Sequence, residues 1–200
     1  MTRAVSWIIA LAMVVAAWFV AGATPDGEQR LADPFPVVAE LGEPIDADNL
    51  AVTVHEVQRA DRVSTSGWFA EGTWLVVSLD AALIEREPAS LGLAYLRVGD
   101  RTFLASERVK AYDPDAAISG WGLHVGIPQS GTLVFELPPD IAGDDRAAEA
   151  VLQLSVGTPL PGLSPSENQQ GSAVIELPVD LTTLERAAEF ALPDTAWTNP

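Results

Sequence analysis

The sequence predicts an all-β fold: an antiparallel β-sandwich of about eight strands, preceded by one N-terminal transmembrane or signal helix and followed by a short C-terminal helix. Three observations predict it. Residues 4–23, AVSWIIALAMVVAAWFVAGA, carry no charge, and at about 1.5 Å per helical residue they match the roughly 30 Å hydrocarbon core of a bilayer. From Leu50 onward apolar residues recur with a period of two in short runs, the spacing that places them on one face of a strand. Turn-forming residues separate those runs, and helical periodicity returns only near the C-terminus.

Arg3 is the only basic residue before the apolar run, and Asp26, Glu28 and Asp33 follow it. The positive-inside rule therefore keeps the N-terminus cytoplasmic and places the rest outside. Two readings of residues 1–23 stay open. A retained signal anchor is favoured by an apolar core longer than the usual signal-peptide stretch, with Trp7 and Trp18 near its ends. A signal peptide cut after Ala23, at the small pair Ala21 and Ala23, yields a secreted form of the same domain. Residues 24–44 hold Pro25, Pro34, Pro36 and Pro44 among scattered charges and read as an extracytoplasmic spacer.

Residues 45–180 read as the sandwich. Leu50, Val52 and Val54 alternate with Ala51, Thr53 and His55, and Leu75, Val77 and Leu79 alternate with Trp74 and Val76. Further runs are Leu91–Gly99, Arg101–Ala105, Gly122–Ile127, Gly131–Pro138, Ala150–Val156 and Ala173–Val179. Gly99-Asp100 suits a tight hairpin turn, and Pro128–Gly131 separates two other runs. Such spacing predicts Greek-key connections, with the gaps Gln58–Glu71 and Glu107–Trp121 as functional loops. In residues 181–200, Thr182 and Glu185 have capping-box spacing. Leu181, Leu184, Ala188 and Ala191 share a helical face, which predicts a short helix that Pro193 stops.

The formal charge is −17, and residues 1–23 contribute no acid to it. A domain this acidic gains nothing from counterion release on a phosphate backbone, which excludes nucleic acid as a partner class. The absence of cysteine removes disulfides, thiolate chemistry and a lipidated cysteine. No cofactor motif occurs.

GEPIDADNLAVTVHEV, GTWLVVSLDAAL and GIPQSGTLVFELP together resemble the immunoglobulin-like β-sandwich domain of unknown function common in Gram-positive envelope proteins, related in fold to small secreted mycobacterial antigens. The matching pieces are Gly42-Glu43, Leu75–Leu79 and Gly126–Pro138, and the resemblance covers roughly residues 42–180. Asp80-Ala81-Ala82 departs from the regular strand end of that family. The resemblance implies a fold and an envelope address, with no catalytic residue carried over.

Candidate chemistry is sparse. His55 and His124 alternate with apolar residues and are expected on solvent faces of strands, and no G-x-S-x-G elbow accompanies them. Asp46 with Asp48, Asp113 with Asp115, and more weakly Asp144 with Asp145 offer loop oxygens of the kind Ca²⁺ takes, without the spacing of an EF-hand; turn formation is the simpler role. Trp68, Phe69 and Trp121 fall in expected loops and form the candidate binding face, since a loop ring offers apolar area and, for Trp, one donor. Capping the ends of the core is the alternative role for these rings. The sequence thus predicts a non-enzymatic protein-binding or accessory module of the envelope, its partner an envelope or membrane protein. A small enzyme or Ca²⁺-dependent binder using the loop carboxylates, and a structural assembly subunit, are the alternatives.

Overall fold

The structure, a computed structural model, describes Trp7 and residues 11–15, 34–87, 89–170 and 172–198. Trp7 and residues 11–15 are helical; the rest of the proposed anchor and residues 24–33 of the spacer lie outside the described residues. Among the described residues no helix is long and apolar enough to cross a membrane. The chain divides into two compact units, Met1–Asp33 and Pro34–Pro200.

The second unit is a two-sheet sandwich. One sheet has the order β1-β9-β8-β5-β6, with β1 Phe35–Val38, β9 Ala173–Val179, β8 Ala150–Ser155, β5 Leu93–Val98 and β6 Arg101–Leu104. The other runs β10-β3-β4-β7-β12, with β10 Arg186–Ala187, β3 Leu50–Ser64, β4 Phe69–Leu83, β7 Gln129–Leu137 and β12 Ala196–Trp197. Two further strands, β2 Pro44–Ala47 and β11 Phe190–Ala191, also pair with β3. The central ladders are antiparallel; β1, β10 and β11 pair parallel to their neighbours.

The period-two residues behave as their spacing requires. Val52, Val54, Leu75, Val77, Leu79, Leu133 and Phe135 from one sheet meet Ala94, Leu96, Leu152, Leu154, Ile175 and Leu177 from the other in one core. A smaller apolar layer lies on the far side of the β3–β4–β7 sheet. There Ala60, Val63, Trp74, Val76 and Val134 pack under Val109, Ala116, Ala117 and Leu192. The segment Glu107–Trp121 supplies this cover as a short helix, α1 (Glu107–Tyr112), followed by two single 3-10 turns.

Several expectations are corrected. Gly122–Ile127 makes only isolated bridges, such as Leu83 with Val125 and Ala89 with Leu123. Pro128–Gly131 is therefore no hairpin turn, and Gln129 already begins β7. The expected loop Gln58–Glu71 is mostly strand: β3 and β4 run on to a turn closed by the Thr65 N–H donating to the Trp68 carbonyl at 2.8 Å. Within the expected spacer, Phe35–Val38 forms β1, and the spacer's last residue, Pro44, begins β2. Phe35 and Ala39 donate to β9-side carbonyls of Ser172 and Glu176 at 3.0 and 2.8 Å, so Pro36 points its missing N–H at the open edge, where a strand tolerates proline.

The C-terminal helix is absent: residues 181–198 hold turns and the short strands β10, β11 and β12. The Thr182 hydroxyl donates to Asp180 Oδ1 at 2.6 Å instead of capping a helix, and Leu181 drops into the main core. The capping box is found at Ser164 and Glu167, on the one-turn helix α2, Pro165–Asn168. Gly99 turns β5 into β6 as expected, at φ +57°. Asp80-Ala81-Ala82 continues β4 through Leu83.

Candidate functional site

The outer end of the β3–β4 hairpin carries two of the three predicted aromatics. Trp68 closes the turn and packs with Ala70 in the outer apolar layer; consecutive strand residues face opposite ways, so Phe69 serves the other side of the hairpin from Ala70 and Trp68. On one side Trp68 lies half-buried and stacked on Tyr112, with ring centroids 5.2 Å apart and planes within 11°. The Arg108 guanidinium stands 6.0 Å from the Trp68 ring and 5.6 Å from that of buried Trp74. Its Nη1 pairs with Glu136 Oε1 at 2.7 Å. On the other side Phe69 is 58% exposed and belongs to neither apolar cluster, the last β4 side chain of the main core on its face being Leu75. Arg62 covers one face of the Phe69 ring at 4.2 Å and pairs with Glu71 and Glu189 at 3.3 and 3.8 Å. The result is an aromatic end in which the guanidiniums are held in place by carboxylates.

Trp121 does not join this group. Its Nε1 donates to the Pro114 carbonyl at 3.3 Å, and its ring meets Trp197 edge-on at 6.5 Å. Trp197 pairs with Gln129, and Gln129 pairs with Ala81, close to the opposite end of β4. Ala81 lies twelve residue steps beyond Phe69 along β4, a rise of about 40 Å. The predicted face therefore divides into two separate aromatic groups, Trp68 with Tyr112 and Trp121 with Trp197. Tyr112 and Trp197, which complete them, carried no sequence signal beyond being aromatic.

A polar cluster missed by sequence reasoning lies on the outer face of the β3–β4–β7 sheet. A bulge between Val54 and Glu56 leaves His55 unpaired in the ladder, and a bulge re-aims the side chain it carries. His55 Nε2 reaches Asp80 Oδ2 at 2.9 Å. The Ser130 hydroxyl donates to the other Asp80 oxygen and lies 2.7 Å from the Thr198 hydroxyl. Two open hollows of about 160 and 240 Å³ share Asp80 as a wall. The carboxylate stands between hydroxyl and imidazole, whereas activation of a serine requires the imidazole in the middle. These bonds fasten the C-terminal segment across the sheet. His124, also half-exposed, pairs with Glu87 at 3.3 Å.

The aspartate pairs do not converge. Asp48 sits at φ +51° in the β2–β3 turn and pairs with Arg86 at 3.1 Å. Asp113 follows α1 as its C-cap, the Asp115 carbonyl accepts from Thr195 N, and Asp144 pairs with Arg101 at 3.5 Å. Among the described residues no three His, Cys, Asp or Glu side chains gather as metal ligands would. Among the described residues three titrating groups are displaced from their ordinary values. Hydrogen bonds from Thr182 lower Asp180, those from Ser164 lower Glu167, and burial raises Tyr95.

No family model matches the chain, and no curated protein matches it. Among solved structures it is similar to a secreted protein from Mycobacterium tuberculosis, at 14% identity over 72% of this chain and 98% of that one, with a TM-score of 0.46. It is also similar to an uncharacterised β-sandwich protein from Clostridium difficile 630, at 9% identity, 74% and 95% coverage and a TM-score of 0.44. A third similarity is to the yjhA protein from Bacillus subtilis, at 15% identity, 69% and 98% coverage and a TM-score of 0.42. The assignment as a β-sandwich rests on the two sheets and shared core described above.

Proposed function

We propose that the chain is an extracytoplasmic β-sandwich, anchored in the cell membrane through residues 4–23, that binds another envelope protein without catalysing a reaction. The observation that carries this reading is the hairpin end. There Trp68, Phe69 and Tyr112 are presented on long paired strands and a packed helix, with Arg62 and Arg108 positioned beside the rings. Rigid aromatic area beside oriented guanidiniums is the composition of contact hot spots, because little side-chain entropy is lost when such groups are covered. The uncharged run behind Arg3 supports the membrane address. The acidic balance supports a protein partner over nucleic acid. Anchoring raises the local concentration of the module near a membrane partner, so a modest contact suffices.

The test is site-specific photocrosslinking in cells that express the full chain. A photoreactive residue at Phe69 is expected to give one discrete adduct with an envelope protein, reduced strongly by Arg62→Ala on the same side of the hairpin, while the same residue at Glu43 gives none. Equal, diffuse labelling at both positions contradicts the reading.

A further inference from the structure

The exposed apolar side chains of the sandwich are unevenly placed. Six of them, Phe35, Val125, Ile127, Leu160, Leu163 and Trp197, between 38% and 59% exposed, lie at the end opposite the β3–β4 hairpin turn, whereas Val38 and Leu41 follow along the β1 side and Phe69 and Tyr112 stand at the hairpin. The registers establish this. Phe35 pairs with Ala173, Leu93 with Ser155, and Tyr95 with Leu104, so β1 and β9 start, β8 stops, β5 starts and β6 stops together. Bridges from Leu83 to Val125 and from Leu91 to Gly157 bring the other sheet's connections to the same end. This is also the end at which the chain enters the domain, at Phe35.

The same end carries little charge in an acidic protein. From Val156 to Ser172 the only ionisable side chain is Glu167, and Pro34–Val38 has none. Of the neighbouring carboxylates, Glu87 is occupied by His124 and by the Val125 N–H at 2.7 Å, and Asp48 by Arg86. Glu85, Glu107 and Asp46, which shares a hollow with Pro128 and Thr198, flank the apolar side chains. Only eleven residues, Thr24 to Pro34, separate the apolar run from β1, a reach of at most about 40 Å even when fully extended.

We propose that this end docks on the outer surface of the lipid bilayer, with Phe35, Leu160 and Leu163 as the principal contacts at the headgroup boundary. The inference rests on the anchored reading given above. Apolar side chains gain by entering the interface, and the acidic remainder of the domain is repelled from anionic headgroups, so the weakly charged end turns inward. The tether makes the contact intramolecular, which lets a weak intrinsic affinity populate the docked state. Docking this end directs the Trp68, Phe69 and Tyr112 end away from the membrane, toward a partner.

The native chain has no cysteine, so Ser166→Cys near the apolar end and Ser66→Cys in the hairpin turn each provide one site for a fluorescent label. The full chain is reconstituted into phosphatidylcholine vesicles that contain nitroxide-headgroup lipid, and vesicle flotation reads anchoring separately. The Ser166 label is expected to be quenched about threefold more than the Ser66 label, as an interfacial contact requires. Phe35→Ser with Leu160→Ser and Leu163→Ser should erase that difference while the far-ultraviolet circular dichroism stays unchanged. Equal quenching of the two labels in chains that float overturns the lipid contact alone. Chains that do not float overturn the anchored reading, and the docking with it.

Discussion

The ring of Trp68 lies against that of Tyr112, 5.2 Å away and nearly parallel, joining the tip of the β3–β4 hairpin to the last residue of α1. Two segments distant in sequence are thereby held as one surface. Stacked pairs of this kind contribute beyond the area they bury.

Trp68→Ala, Tyr112→Ala and the double variant should therefore form a non-additive cycle. The expected coupling is about 0.5–1.5 kcal/mol in denaturant unfolding. An additive cycle would mean that the two rings fold as independent surfaces.

Asn49 should be among the least replaceable polar residues. It is 5% exposed; its Oδ1 accepts from the Glu85 and Arg86 N–H groups, both at 2.9 Å, and its Nδ2 donates to the Arg86 carbonyl at 2.7 Å. Asn49→Ala leaves three backbone groups without these partners, at a cost of about 2–4 kcal/mol in chemical denaturation. Ser166→Ala, on the exposed α2, should be nearly neutral by the same measurement.

Asp180 gives the acid limb of stability a defined component. The side-chain hydrogen bond from Thr182, followed by the Thr182 N–H, holds its carboxyl below the ordinary value of 3.8. A folded-state pKa below the unfolded one contributes stability that is present above the unfolded value and is lost as pH falls through the folded one. The dependence therefore lies below about pH 4. Thr182→Val should move the Asp180 titration upward in carbon-detected NMR and flatten that limb. An unmoved titration would contradict the assignment of the shift to the Thr182 hydroxyl.

What the sequence made legible follows from what pattern can encode. Half-buried strands alternate, and the runs around Val52, Val77, Leu96, Leu133, Leu152 and Ile175 were readable for that reason. The far half of β3 was hidden because Gln58, Arg59, Asp61 and Arg62 interrupt the apolar pattern and two bulges switch its faces. Pro34 and Pro36 argued for a spacer, yet an edge strand accepts Pro36 at its open side. The two-residue strands β10, β11 and β12 have no period to detect. Thr182 and Glu185 had capping spacing, but Asp180 took the Thr182 hydroxyl and core burial took Leu181. Trp68 and Phe69 were legible as aromatics beside a turn. Their separation from Trp121, the Tyr112 partner and the His55–Asp80 contact depend on register, which one sequence does not display.

The most direct test of the central claim is labelling of Ser66→Cys in the full chain with a membrane-impermeant maleimide, on intact cells and on cells made permeable. An exported module with an outward-facing hairpin end predicts the same labelling in both. Labelling that appears only after the membrane is breached would place the sandwich in the cytoplasm and remove the basis of the account.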